Sequence, residues 1–484
     1  MMEKFCMNAW IIAALIGSLF AANADPMPNV LFIAIDDLNA CADGMNGETS
    51  VHTPNISRLA DKGVFFLNAH CAAPACNPSR TSVMTGLAPA SSGIYLNEQD
   101  WRKSKTLAGH ITLPEHFQQN GYKTMGGGKL YHAHTGRTSM YAGFMDPKPW
   151  DAYFPSKETQ MPIEVRPGQV PMHNVNRFSA GRFDWAELDI DVAEMADAQV
   201  VEWAGEQLSQ THEKPLFLAV GIFRPHIPWY TPKTYFDLHP LDQVVLPETR
   251  KDDLDDLPAP AKAALNVKWQ KWLEETGKWE QAVQAYNASV SFADDMIGQL
   301  LTSLENGPMA DNTIVVLWSD HGYHLGQKQH WEKFKLWEQT TRVPFIVAAP
   351  GLVRAGETCR EPVSLLDIYP TLSALCGTMP AKELDGDSLV PLLQNPRLET
   401  GRSVVITQGY KNHAVRSDKW RYIRYEQGEE ELYDQINDPK NFTNLASNPE
   451  YKTVIAELST WLPKDNAPSP PSKKKSKRRK SNHK

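Results

Sequence analysis

Val30-Leu31-Phe32-Ile33-Ala34-Ile35-Asp36-Asp37 is an unbroken apolar run of strand length that stops on two adjacent carboxylates. A strand with no polar alternation is buried on both faces, the condition of a central strand in a parallel sheet covered by helices. Sheets of that kind place their ligands beyond the carboxyl ends of the strands, and Asp36 and Asp37 stand at such an end. Two neighbouring carboxylates repel unless a cation lies between them, so a hard divalent metal with oxygen ligands accounts for the pair. Read in isolation, Asp-Asp fits a solvated turn better.

The same arrangement recurs along the chain. Thr313-Ile314-Val315-Val316-Leu317-Trp318 runs into Ser319-Asp320-His321-Gly322, and Leu216 to Ile222 runs into Arg224-Pro225-His226-Ile227-Pro228, where two prolines stiffen the backbone around a histidine. Tyr122-Lys123-Thr124-Met125 is a short strand followed by Gly126-Gly127-Gly128, with Lys129 and His132 next; the glycines let backbone approach a ligand closely. Trp331-Glu332-Lys333 lies in a polar loop before a further strand, Val343 to Val347. Helices are expected at Leu113–Gln119, at Asp191–Leu208, and where Val290, Ile297, Leu300, Leu301 and Leu304 share one face. Strands alternating with helices predict an α/β fold, and in a parallel sheet all these ends open on one crevice. Residues 133–184, rich in Pro, Gly and aromatics with no sustained period, read as a long insertion or substrate-facing loop region.

Cys76-Asn77-Pro78-Ser79-Arg80, running on to Thr85-Gly86, adds a nucleophile. Pro78 predicts a helix beginning there, with Cys76 at its N-terminal end, where free N–H groups and the helix dipole suit an oxyanion. Arg80, four residues on, falls on the same face. From these residues alone Cys76 is a modified nucleophile, an ordinary thiolate or a packed cysteine.

Cys-x-Pro-Ser-Arg followed by Thr-Gly resembles the signature of type I sulfatases, in which the cysteine is oxidised to formylglycine (3-oxoalanine). Asp36-Asp37, Gly128-Lys129-Leu130-Tyr131-His132, Arg224 to Pro228 and Ser319 to Gly322, with Trp331 and Lys333, resemble the motifs of its iduronate-2-sulfatase branch. The resemblance implies an alkaline-phosphatase-like α/β sandwich with a mostly parallel central sheet and a smaller C-terminal α+β domain with an antiparallel sheet. Ala414 to Tyr422 and Glu431 to Asp434 resemble that second part. It further implies one calcium ion on Asp36, Asp37, Asp320, His321 and the modified Cys76. Arg80, Lys129 and Lys333 would neutralise the sulfate, His226 would serve the leaving alcohol, and His132 would release sulfate from the hydrate. A formylglycine-generating or anaerobic sulfatase-maturating enzyme becomes a required partner. The implied substrate is a sulfated oligosaccharide or polysaccharide, with a 2-sulfated uronic acid as the lead. Trp101, Arg102 and Arg224 are candidates for its carboxylate. Tyr323 and His324, which follow His321-Gly322 where the branch's best-known member has tryptophan, should face the sugar.

Of 484 residues, 42% are hydrophobic and 22% charged, as in a folded protein. The net charge of −8 hides eight cations and no acid from Lys473 onward, leaving −16 on the rest. Such an acidic body argues against nucleic acid as a partner. Lys4, the apolar run from Ala9 to Phe20 and Ala22-Asn23-Ala24 read as an export signal over residues 1–24, too short for a membrane span, so the protein is expected to be exported: periplasmic, secreted or lysosomal. The catalytic part is expected over 25–395, the smaller one over 396–465 and a disordered basic tail over 466–484. Cys41, Cys71, Cys359 and Cys376 either pair, Cys359 with Cys376 for instance, or stay as buried thiols. Three functions compete: a calcium-dependent sulfatase for this or another sulfated sugar, a phosphatase or phosphonate hydrolase of the same fold, and a non-catalytic glycan-binding protein.

Overall fold

The computed structural model describes residues 27–47, 51–133, 143–155, 183–263 and 265–469. The expected export signal, the lysine-rich end and most of the 133–184 stretch lie outside the described residues.

Strand β1, Asn29–Ile35, lies inside an eight-stranded sheet with β2 Val64–Phe66, β3 Lys123–Gly128, β4 Ala152–Phe154, β5 Leu216–Ile222, β6 Thr313–Ser319, β7 Phe345–Ala348 and β8 Glu357–Cys359. Their order in space is β8-β2-β7-β6-β1-β5-β3-β4. β1 pairs in parallel with β5, Val30 opposite Phe217, and with β6, Ile35 opposite Ser319. This register brings the ends that carry Asp36, Arg224 and Asp320 to one edge. β7 runs antiparallel to both its neighbours, β6 and β2, and so returns away from that edge.

Both faces of β1 are covered, which is why its run has no polar alternation. Leu31, Ile33 and Ile35 join one hydrophobic cluster with helices α2, Ala196–Leu208, and α3, Trp279–Glu305; Val30, Phe32 and Ala34 join another with Val83 and Met84 of helix α1, Cys76–Thr85. Asp191 is not in a helix: it caps a short 3-10 turn, accepting from the Ala193 N–H, one turn before α2 begins. α3 is buried nearly all round from Ala282 to Leu304, beyond the single face expected, because helices and strands pack on several of its sides.

The last strands, β9 Val404–Thr407, β10 His413–Arg416, β11 Trp420–Arg424 and β12 Glu430–Asp434, form an antiparallel meander. Ile406, Ala414, Ile423 and Tyr433 pack into the cluster that holds Val30 and Phe32, while Val415, Tyr422 and Leu432 cover Leu458 of helix α4, Lys452–Ser459.

Three expectations change. Gly126 and Gly127 make room for protein, not ligand: a Cβ at Gly126 would lie 2.7 Å from the Tyr153 ring and one at Gly127 3.1 Å from Trp203. The five described cysteines are all free and buried, so Cys359 and Cys376 are not paired. The basic tail does not begin at residue 466. Ala467 N–H donates to the Ala90 carbonyl (2.7 Å), its carbonyl accepts from Tyr95 Oη (2.8 Å), and Gln99 Nε2 donates to Ser469 Oγ (2.7 Å).

Candidate active site

The crevice beyond the strand ends is built from six separate pieces of chain. β1 delivers Asp36 and Asp37, both fully buried. Asp37 has φ +64, a left-handed conformation rare for a residue with a side chain. Its backbone is held there from two sides: its N–H donates to Asp320 Oδ1 (3.1 Å) and its carbonyl accepts from Tyr286 Oη (2.9 Å), which in turn accepts from Asn39 N–H (3.0 Å). The next N–H, of Leu38, donates to Ser319 Oγ (3.0 Å).

Helix α1 starts at Cys76 itself, with Ala75 as N-cap, and ends at Gly86 in the left-handed conformation that favours glycine. Arg80, on its first turn, is buried among acceptors: Nε lies 2.8 Å from Asp320 Oδ2, Nη2 lies 3.3 Å from Asp36 Oδ1, and Nη1 donates to the Lys129 carbonyl. Thus Arg80 ties together two strand-end carboxylates. Ser79 Oγ donates to the Asp320 carbonyl (2.6 Å) from the same turn.

Around the Cys76 sulfur the cations converge. Lys333 Nζ lies 3.0 Å away, and 2.7 Å from Asp37 Oδ1; His321 Nε2 lies 3.3 Å away. Lys129 is ion-paired with Asp36 Oδ2. Burial by itself would raise the Cys76 pKa, but Lys333, His321 and Lys129, with a hydrogen bond from His132, hold it well below the ordinary thiol range. Burial likewise opposes ionisation of Asp36, and Lys129 foremost outweighs it, so Asp36 stays below the usual carboxylate range. At Asp320 burial wins over Arg80, and the pKa rises to about 7. His321 is lifted to about 9 because Asp320 overcomes its burial.

The two histidines have defined hydrogen-bond roles. His226 Nδ1 lies 2.7 Å from the Ile227 carbonyl, an acceptor only, so Nδ1 donates; Nε2 then faces Asp37 Oδ2 at 3.8 Å. His321 Nδ1 faces the Gly322 carbonyl (3.1 Å), which directs Nε2 to Cys76 and Asp320.

Ligand atoms of Asp36, Cys76, Asp320 and His321 lie within 4.8 Å of one another, and so do those of Asp36, Asp37, Cys76 and His226. Asp37 Oδ2 is buried and accepts no hydrogen bond among the described residues. Three carboxylates here are already balanced by Arg80, Lys129 and Lys333. A divalent ion on this oxygen-rich set would make the crevice net positive, the sign an oxyanion needs. The residues present therefore fit a hard metal.

The sequence missed the groups behind this site. His330 accepts the Asn266 N–H at Nδ1 (2.9 Å), so its Nε2 donates to the Lys333 carbonyl (3.0 Å) and fixes the loop that carries the lysine. Tyr286 and Ser319 do the same for the Asp37 turn. Nothing in their spacing marks them; each acts through a partner far away in sequence.

The structure places the five substrate candidates in different surroundings. Tyr323 is fully buried against Trp229 and Tyr286, and His324 is fully buried against His330 and Trp337. Arg224 is buried, with Nε and Nη2 both donating to the Tyr230 carbonyl (3.1 Å), and so shapes the loop carrying His226. Trp101 stacks on Tyr131 and donates to the Phe144 carbonyl (2.8 Å). Arg102 is ion-paired with Asp100 (2.8 Å) and bonded to the Met145 carbonyl. A cavity of about 170 Å³ is lined by Ala75 and Phe334, the chain neighbours of Cys76 and Lys333, with Tyr95, Glu98, Thr407 and Gln408 among others.

A buried set of carboxylates, cations and an activated sulfur at the open edge of a covered, mostly parallel sheet defines a hydrolase of oxyanion esters with the alkaline-phosphatase-like sandwich. A family model described as "Sulfatase" matches residues 28–378, and one described as "N-sulphoglucosamine sulphohydrolase, C-terminal" matches 326–467. The chain is 39% identical over 461 residues to a sulfatase of Formosa agariphila, covering 91% of this chain and 87% of that protein. It is 30% identical over 391 residues to iduronate 2-sulfatase of Homo sapiens, covering 72% and 69%. Among solved structures, a phosphonate monoester hydrolase of Agrobacterium radiobacter superposes with a TM-score of 0.71 at 21% identity, over 90% of this chain and 94% of that one, and shares the fold. The chain belongs to the sulfatase family and is a sulfuric-ester hydrolase, formylglycine-dependent like the type I members.

Proposed function

We propose that this sulfatase removes the sulfate from a 2-sulfated uronic acid at the end of a sulfated glycan, with Cys76 converted to formylglycine and one calcium ion on Asp36, Asp37, Asp320, His321 and that modified residue. The observation that carries the chemistry is the convergence of Lys333, His321 and Lys129 on Cys76 at the N-terminus of α1. The uronate assignment rests on the strand-end motifs and on the likeness to iduronate 2-sulfatase.

When bound, calcium would polarise the sulfate, and the hydrated formylglycine would provide the attacking oxygen. The chain's own residues do the rest. Arg80 holds Asp36 and Asp320 in position and adds fixed positive charge beneath the anion. Lys129 and Lys333 neutralise charge on the sulfuryl oxygens, in a site whose burial strengthens each contact. His226, with Nδ1 committed to Ile227, presents Nε2 as the nitrogen that holds a proton for the leaving sugar oxygen. His132, hydrogen-bonded to Cys76, would accept the proton of the second hydroxyl once the residue is converted. The protein would be exported, and a maturating enzyme would act on Cys76 before the site closes, since Cys76 is fully buried once folded.

A sulfate-release screen tests this reading. Matured enzyme is given oligosaccharides ending in a 2-sulfated uronate, the same chains sulfated at other sugars, and aryl phosphate and phosphonate esters. Preference for the terminal 2-sulfated uronate is expected. Faster turnover of another sulfated sugar would move the substrate assignment, and faster turnover of phosphonate or phosphate esters would overturn the sulfatase reading itself.

A further inference from the structure

Strand β5 pairs with β1 as far as Ile222, so the next two N–H groups, of Phe223 and Arg224, lie beyond its ladder. Buried backbone donors need acceptors. Asp197 supplies both: Oδ1 accepts from Phe223 N–H (2.8 Å) and Oδ2 from Arg224 N–H (3.0 Å). This aspartate is fully buried on the first turn of helix α2. An acid is ordinary at that position, where it suits the helix dipole. Here, however, its two oxygens both reach across to the end of a neighbouring strand, and two successive N–H groups fix that backbone in place and in direction.

The segment so fixed leads straight into His226. His226 N–H donates to the Phe223 carbonyl (2.9 Å), which closes the turn. The buried Phe223 ring borders two groups of the site, the His226 ring at 4.8 Å between centroids and the Lys129 ammonium at 4.6 Å. Asp197 therefore reaches the chemistry at one remove, through the turn that it holds.

We propose that Asp197 and Phe223 are positioning residues for His226, Asp197 through the backbone of the turn and Phe223 through its ring. This rests on the reading that His226 serves the leaving sugar. In that step the sugar oxygen takes the electron pair of its bond to sulfur, and the proton on His226 Nε2 moves to that oxygen. Nδ1 is committed to the Ile227 carbonyl, so the aim of Nε2, which faces Asp37 Oδ2 at 3.8 Å, depends on where the turn holds the ring. A misplacement of about 1 Å is enough to cost about 10² in rate.

The test is a double-mutant cycle on matured enzyme. Asp197→Asn, His226→Ala and the pair are assayed for kcat and KM on an alkyl sulfate and on aryl sulfates of increasing phenol acidity, after circular dichroism and a melting curve show each to be folded at the assay temperature. Asp197→Asn should lower kcat on the alkyl sulfate by about 10–100-fold with a much smaller change in KM, and should copy the leaving-group pattern of His226→Ala. In the His226→Ala background the same substitution should cost less than about threefold, because the group it positions is gone. Equal factors in the two backgrounds would overturn the positioning role. Should Asp197→Asn not fold, Phe223→Leu, which keeps the Asp197 hydrogen bonds to the backbone, enters the same cycle, and additivity there overturns the proposal equally. If His226→Ala loses rate uniformly across the series while the cycle stays non-additive, the leaving-group reading fails and the positioning role stands.

Discussion

The Lys333 ammonium lies 3.0 Å from the Cys76 sulfur and 2.7 Å from Asp37 Oδ1, so one cation spans the nucleophile and a carboxylate of the metal cluster. Its own pKa is raised well above the usual lysine value: burial pulls it down, but Asp37, Cys76, Asp36 and Asp320 outweigh that. Lys333 therefore stays charged across the working range of pH and acts by charge. Lys333→Met should lower kcat by about 10²–10³, the cost of one preorganised charge-stabilising donor. Initial rates on an aryl sulfate check this, and a variant within threefold of wild type would show the lysine to be dispensable.

Cys76→Ala should abolish sulfate release while leaving the fold intact, since the residue begins a helix that alanine also supports. Mass spectrometry of the Cys76 peptide from matured protein should show the aldehyde in place of the thiol. An unmodified thiol in fully active enzyme would refute the formylglycine assignment.

His226→Ala should separate substrates by leaving group. Loss of a proton donor typically costs about 10²–10⁴ in rate where the departing alcohol is poor. Alkyl sulfates should therefore suffer far more than aryl sulfates with acidic phenols. A uniform loss across the series would assign His226 to binding instead.

Removing metal should lower both activity and melting temperature, with calcium restoring both. An ion at 100 times its dissociation constant stabilises by about 2.7 kcal/mol. Asp37→Asn, which removes charge at a buried oxygen that accepts no hydrogen bond among the described residues, should cut the calcium-dependent rise in melting temperature. Scanning calorimetry with and without chelator reads it directly.

Glu338 joins the antiparallel sheet to the catalytic body. Arg421 Nε lies 3.0 Å and Arg416 Nε 3.4 Å from its Oε2. Burial would raise the Glu338 pKa, yet Arg416 and Arg421 hold it well below the carboxylate range. With the folded value depressed, its contribution is fully present above the unfolded carboxylate pKa of about 4.3 and fades as pH falls through the folded value. Glu338→Gln should destabilise by about 3–5 kcal/mol at neutral pH, the usual cost of breaking a buried pair. The gap between wild type and variant in urea midpoints should be constant from pH 6 to 8 and close below about 4.3.

The sequence by itself determined which segments would be central strands, where α1 would begin, and that Asp36, Asp37, Cys76, Asp320 and His321 would meet. Those features are local: an apolar run without alternation, a proline just inside a helix, a polar group at a strand end, all obeying rules of backbone geometry. Tertiary structure decided which side chains face the crevice and which hold it up. Tyr323 and His324 follow a metal-ligand residue directly and still turn into the aromatic core, whereas Tyr286, 249 residues from Asp37 in the chain, sets that aspartate's backbone. The anchoring of Ala467 and Ser469 beside the cavity was equally invisible, because Tyr95 and Gln99 lie about 370 residues upstream. A side chain's destination depends on the surfaces that distant elements present to it, and spacing along one chain carries no record of those surfaces.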